Sequence, residues 1–117
     1  IEAGEIVGAT SELTLAEVLV HPLRCGDERL IESYETMIAS SPVFTVLPVG
    51  REILVAAARL RAVHAALRLP DAIHLASAQR MGADHFVTRD ARLAAISPIP
   101  VVDGGPQSLE AIRKALP

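Results

Sequence analysis

The stretch "EIVGATSELTLAEVLV", Glu5 to Val20, divides at Ser11. Ile6 to Thr10 is a short β-branched run, and Ser11 is a good N-cap for the apolar, helix-forming "ELTLAEVLV" behind it. Strand followed by helix is the reading, and the rest of the chain repeats it. Pro22 is expected to end or kink the first helix. Asp27 then caps a second one, in which Leu30, Ile31, Tyr34, Met37 and Ile38 share a face. "VFTVLPV" reads as a strand between Pro42 and Pro48, residues 51–67 as an alanine-rich helix, and Pro70 restarts a helix that Gly82 closes. "HFVT", a short helix over 91–96, the strand "IPVV" and a closing helix "SLEAIRKAL" complete the order. Apolar strands alternating with helices of this length predict an α/β fold with a mostly parallel sheet covered on both faces. In such folds ligands collect beyond the carboxyl ends of the strands.

Composition narrows the function classes. The 117 residues, half of them hydrophobic, suit one domain with a proper core, and no repeat or linker divides them. No apolar run approaches a membrane span, and no secretory leader opens the chain, so a soluble, cytoplasmic protein is expected. Cys25, the single cysteine, cannot form an intrachain disulfide. The net charge of −3 repels polyanions at long range, so a nucleic-acid role calls for local basic patches or bound cations. Of the eleven basic residues all but Lys114 are arginine. The chain opens on Ile1, not methionine, and a fragment of a longer protein is expected.

Three carboxylates stand in unusual places. Asp71, in "RLPDAIHLASA", lies in the first turn of a helix whose same face carries Leu75 and Ala78. Complementing the helix dipole is one reason for it to be there. Glu17 sits between "LTLA" and "VLV" on an apolar helix, with Arg24 as a possible structural partner. Asp90 follows "HFVT" just past the end of a strand, where it could equally cap "ARLAAI". Thr88 adds a hydroxyl beside it. Each acid lies near the start of a helix that follows a strand or a break. Mg²⁺ and Mn²⁺ favour such all-oxygen sites, and the matching chemistry is phosphoryl transfer to water.

In order and spacing, "TSELTLAEVL", "LRLPDAIHLASA" and "FVTRDARL" resemble the second, third and fourth acidic motifs of PIN domains, and among these the VapC-type toxin ribonucleases. The resemblance implies a three-layer α/β/α domain over residues 1–117 and a Mg²⁺- or Mn²⁺-dependent endoribonuclease. It makes Glu17, Asp71 and Asp90 the metal ligands and Thr88 the accompanying hydroxyl. It also implies an RNA substrate, a cognate antitoxin lying in the acidic groove, and a homodimer, for which "LRCGDERLIESYETMI" is the candidate face. The family opens with a strand ending in aspartate, central to its sheet. Nothing in residues 1–10 supplies either, so an N-terminally incomplete domain is expected, inactive as it stands.

Two other readings compete. Haloacid-dehalogenase-like phosphatases and receiver domains also gather aspartates at strand ends, but both call for a lysine near them, and Lys114 lies far along the chain. A PIN-fold module without turnover, binding RNA or a protein partner, is the alternative. Arg61, His64 and Arg68 share nearly one helix face, and Arg89 and Arg92 flank Asp90; phosphate contact or plain solvation explains either set. His74, a turn after Asp71, reads as a packed core residue, a group supporting the acids or a general base. Only three aromatic residues are present, so RNA contact is expected through backbone and shape.

Overall fold

The computed structural model describes residues 7–107 together with 110 and 114. Its elements run β1 (Gly8–Ser11), α1 (Leu13–Cys25), α2 (Glu28–Met37), β2 (Phe44–Leu47), α3 (Arg51–Val63), α4 (Leu69–Arg80), β3 (Phe86–Val87), α5 (Ala91–Ile96) and β4 (Val101–Val102). The α/β alternation is as expected. The closing helix read at "SLEAIRKAL" lies largely outside the described residues.

All described strand pairs are parallel, as the apolar strands and intervening helices require. They form two pairs: β1 beside β2, with Gly8 opposite Phe44, and β3 beside β4, with Phe86 opposite Val101. Between the pairs lies a cavity of about 910 Å³, walled by Val7 to Ser11 on one side and His85 to Thr88 on the other. Gly8 and Glu12 donate their amides toward β2, to Val43 and Leu47, and Phe86 and Thr88 donate theirs toward β4. Backbone groups alternate sides along a strand, so Ala9, Ser11 and Val87 turn their N–H and C=O to the cavity. Val7 and Val87, both exposed, add apolar surface to these facing edges.

Helix α4 is the centre of the core. Half of its twelve residues are buried, among them Ala72, Ile73, Leu75 and Ala76, and they pack with Ile53 and Ala57 of α3, Leu67 and Leu93. Such a helix has little freedom to carry charge except at its ends. Its start follows the sequence reading, with Pro70 in the first turn and Asp71 beside it. Asp27 also behaves as read, its Oδ1 accepting the amide of Leu30 at 3.1 Å.

Three local expectations need correcting. Of the two outcomes expected at Pro22, an end or a kink, the end does not occur: helix α1 continues to Cys25. Pro22 lacks the N–H that would satisfy an earlier carbonyl, but it is fully buried, and that packing offsets the lost hydrogen bond. The helix closes instead at Gly26, whose φ of 68° is left-handed, and the amides of Gly26 and Asp27 return to Leu23 and Pro22. Helix α3 ends at Val63 rather than 67, because a turn from His64 delivers Leu67 into the core, and Arg61 Nε secures it through the Leu67 carbonyl at 2.9 Å. Arg61 and Arg68 therefore do not share a helix face. Ser11 ends β1, and Glu12 takes the N-cap position of α1, although the Leu13 amide still reaches Ser11 Oγ at 3.3 Å. Helix α2 buries none of its residues, Leu23 and Met37 are exposed, and the exposed Cys25 thiol lies 3.7 Å from His21 Nε2.

Candidate active site

Strand-to-helix junctions bring polar side chains to one mouth of the cavity. Asp71 and His74 rise from α4, Thr10 and Ser11 from the end of β1, Thr14 from the first turn of α1, and Thr88 from just beyond β3. Asp71 is half-buried, and its carboxylate accepts no hydrogen bond from the described residues. A carboxylate left open on a cavity wall at a helix start is poised to take a cation or a donor.

Asp90 is engaged. Its Oδ1 accepts the backbone amide of Arg92 at 2.9 Å, so the N-cap reading of this residue holds. The same oxygen accepts Arg92 Nε at 3.2 Å, and Oδ2 accepts Nη2 at 2.9 Å, a two-toothed pair. Hydrogen bonds from the Arg92 side chain, then from its amide, hold the Asp90 carboxyl below its ordinary range. Asp90 in turn raises Arg92, with a further contribution from the charge of Asp71, which places Asp71 within electrostatic reach of the same guanidinium. Carboxylates crowded together raise one another and strain a site. Arg92 counters this at Asp90. Thr88 fixes the approach, its Oγ1 accepting the Asp90 amide at 3.1 Å.

Glu17 is engaged by a different partner. Its Oε1 lies 2.6 Å from His74 Nε2, so His74, and not Arg24, holds it. A carboxylate only accepts, so Nε2 carries the proton of this bond. The other ring nitrogen, Nδ1, lies 3.2 Å from the buried Ser11 Oγ. Ser11, His74 and Glu17 thus form a chain of hydrogen bonds tying β1, α4 and α1 together. His74 faces the cavity, whereas Glu17 lies on its far side and does not line it.

The four residues singled out in the sequence therefore divide. Asp71 and Thr88 line the cavity, Asp90 follows Thr88 and is tied to it and to Arg92 without lining the cavity, and Glu17 is held behind His74. Among the described residues no three of the histidine, cysteine and acidic side chains come close enough together to hold an ion. Two carboxylates and a hydroxyl still fit Mg²⁺ or Mn²⁺, which commonly take one or two protein carboxylates and fill the remaining positions with water or phosphate oxygen. The pair of threonine hydroxyls, Thr10 Oγ1 and Thr14 Oγ1 at 2.6 Å, belongs to the same wall and was not anticipated. The one signal for it was their spacing of four across "TSELT", which places both at the strand-to-helix junction.

Comparisons with known proteins agree with this architecture. Among curated proteins no match is found. Among solved structures, a toxin–antitoxin complex from Klebsiella pneumoniae matches with a TM-score of 0.60 and 25% identity, over 87% of this chain and 75% of that one. The sequence model of the PIN domain matches residues 1–97, and the chain, with its parallel strands, buried α4 and acid-lined cavity mouth, belongs to the PIN domain family.

Proposed function

We propose that this protein is a metal-dependent endoribonuclease of the toxin–antitoxin type, acting through Asp71, Thr88 and Asp90. The observation that carries the reading is Asp71: an open carboxylate on the cavity wall, at the start of a buried helix, sharing that wall with the Thr88 hydroxyl. A bound Mg²⁺ or Mn²⁺ would supply charge neutralisation at the scissile phosphate and an activated water. The protein's own part is to hold the ligands still. Asp71 is fixed by a helix packed on both sides, and Asp90 by its capping bond and by Thr88. The His74 contact holds Glu17 behind the cavity wall rather than on it.

The partners follow the same reading. The substrate is RNA, held by phosphate contacts, and the partner is an antitoxin chain, in keeping with the toxin–antitoxin neighbour; the cavity mouth is where it would lie. A homodimer would form through α1 and α2, where Leu23 and Met37 are exposed. The cytoplasm is the expected compartment; among the described residues no helix is long and apolar enough to cross a membrane.

A second reading has its own observation. Glu17 and Asp90 are both held by side chains of this chain, which suits a PIN-fold module that binds RNA or protein without turnover. Cleavage of a labelled RNA pool with Mn²⁺ separates the two. The nuclease reading expects cutting by a chain extended upstream by a strand ending in aspartate, cutting that EDTA abolishes and that Asp71→Asn lowers by at least about 100-fold, since an ion without its ligand loses the geometry that the displacement needs. Retention of RNA without metal-dependent cutting, in this chain and in one extended upstream by a strand ending in aspartate, would favour the binding module.

A further inference from the structure

Both oxygens of Asp90 are occupied by one side chain. The Arg92 fork lies across the carboxylate edge, with Nε on Oδ1 and Nη2 on Oδ2, and so occupies both atoms through which Asp90 would hold a cation. Elsewhere the guanidinium is free to leave. Its side chain is 82% exposed, and Asp90 is its only hydrogen-bonding partner among the described residues. The charge of Asp71 also acts on this guanidinium.

We propose that Arg92 is an internal counter-cation of the site: it neutralises Asp90 in the ion-free protein, and a divalent ion binds by displacing it. Ion binding is then an exchange of one cation for another at Asp90. This rests on the metal-site reading above. It gives the fork on Asp90 a role, and it makes the ion-free site a closed arrangement rather than a strained one. The exposure of the fork means the competition is mild, since exposed ion pairs are easily traded for water.

Titration of free Mn²⁺ by its electron paramagnetic resonance signal, at neutral pH, tests the exchange. Parent, Arg92→Gln, Arg92→Lys and Asp71→Asn are compared. We expect Arg92→Gln to bind Mn²⁺ about two- to fivefold more tightly, the range exposed pairs command. Arg92→Lys keeps the charge but loses the fork. It should fall nearer to Arg92→Gln than to the parent; a value nearer to the parent would mean charge acting at a distance and would overturn the exchange. In the parent, the Arg92 Nε–H proton resonance should move toward that of free arginine as Mg²⁺ is added, and one that stays fixed at saturation sinks the proposal. The two levels separate cleanly. If neither parent nor Arg92→Gln binds the ion, the metal site itself is wrong. If the parent binds it in a manner that Asp71→Asn abolishes, while Arg92→Gln gains nothing, the site stands and only the exchange falls.

Discussion

Asp71 occupies the first turn of α4, where a carboxylate complements the helix dipole, and its oxygens are otherwise open to the cavity. These two facts give opposite weights to its replacement with and without metal. In the absence of metal, Asp71→Asn should cost no more than about 1 kcal/mol, the size of the dipole contribution. With Mn²⁺ at a hundred times its dissociation constant the parent should gain about 2.7 kcal/mol, seen as several degrees in melting temperature, and the variant should lose most of that gain. Thermal melts with and without Mn²⁺ check both halves; a variant still raised as much as the parent removes Asp71 from the ligand set. The residue scale also shows what a sequence conceals. That Asp90 caps α5 is legible, because cap and amide are two residues apart. That Glu17 is held by His74 is not, because the two are 57 residues apart and only the packing of α1 on α4 brings them together.

At the scale of elements, the turns that deliver the site depend on two glycines with similar backbone angles and different surroundings. Gly26, with φ of 68°, closes α1 in open space, whereas Gly104, with φ of 80°, follows β4, and a Cβ there would lie 2.6 Å from Val87 Cγ1 on β3. Gly26→Ala should therefore cost only the left-handed penalty, about 1 kcal/mol. Gly104→Ala bears the same penalty together with a clash against the strand that presents Thr88, and should cost at least about 1 kcal/mol more. Urea denaturation of the two variants compares them, and equal losses would mean that β3 yields without resistance. Elements with local signals were legible throughout: Asp27 and Pro70 mark their helix starts by chemistry confined to one turn. Pro22 and Leu67 were not, because burial decided whether the helix went on or stopped, and burial is a property of the assembled chain.

For the molecule as a whole, the two strand pairs on either side of the cavity make a directional prediction about backbone exchange. Gly8, Phe86 and Thr88 spend their amides inside a pair, while Ala9 and Val87 turn theirs to the cavity. In hydrogen exchange, Ala9 and Val87 should lose protons far faster than their sequence neighbours, giving alternate fast and slow positions along each short strand. Uniform protection along β1 would mean that its open edge is paired. Such edges are templates for another strand, so the same measurement repeated at rising protein concentration should show whether Ala9 and Val87 slow together as copies associate.

Cys25 places one accessible sulfur beside His21, near the exposed Leu23 and the α2 surface that a dimer would use. Air oxidation can join two copies there through a covalent link that owes nothing to shape or apolar fit. Sedimentation or light-scattering measurements of self-association thus need a thiol reductant throughout, with Cys25→Ser alongside. The same solitary sulfur offers a benefit: a maleimide dye will attach at a single place, and its fluorescence will report directly whatever comes to rest against the end of α1.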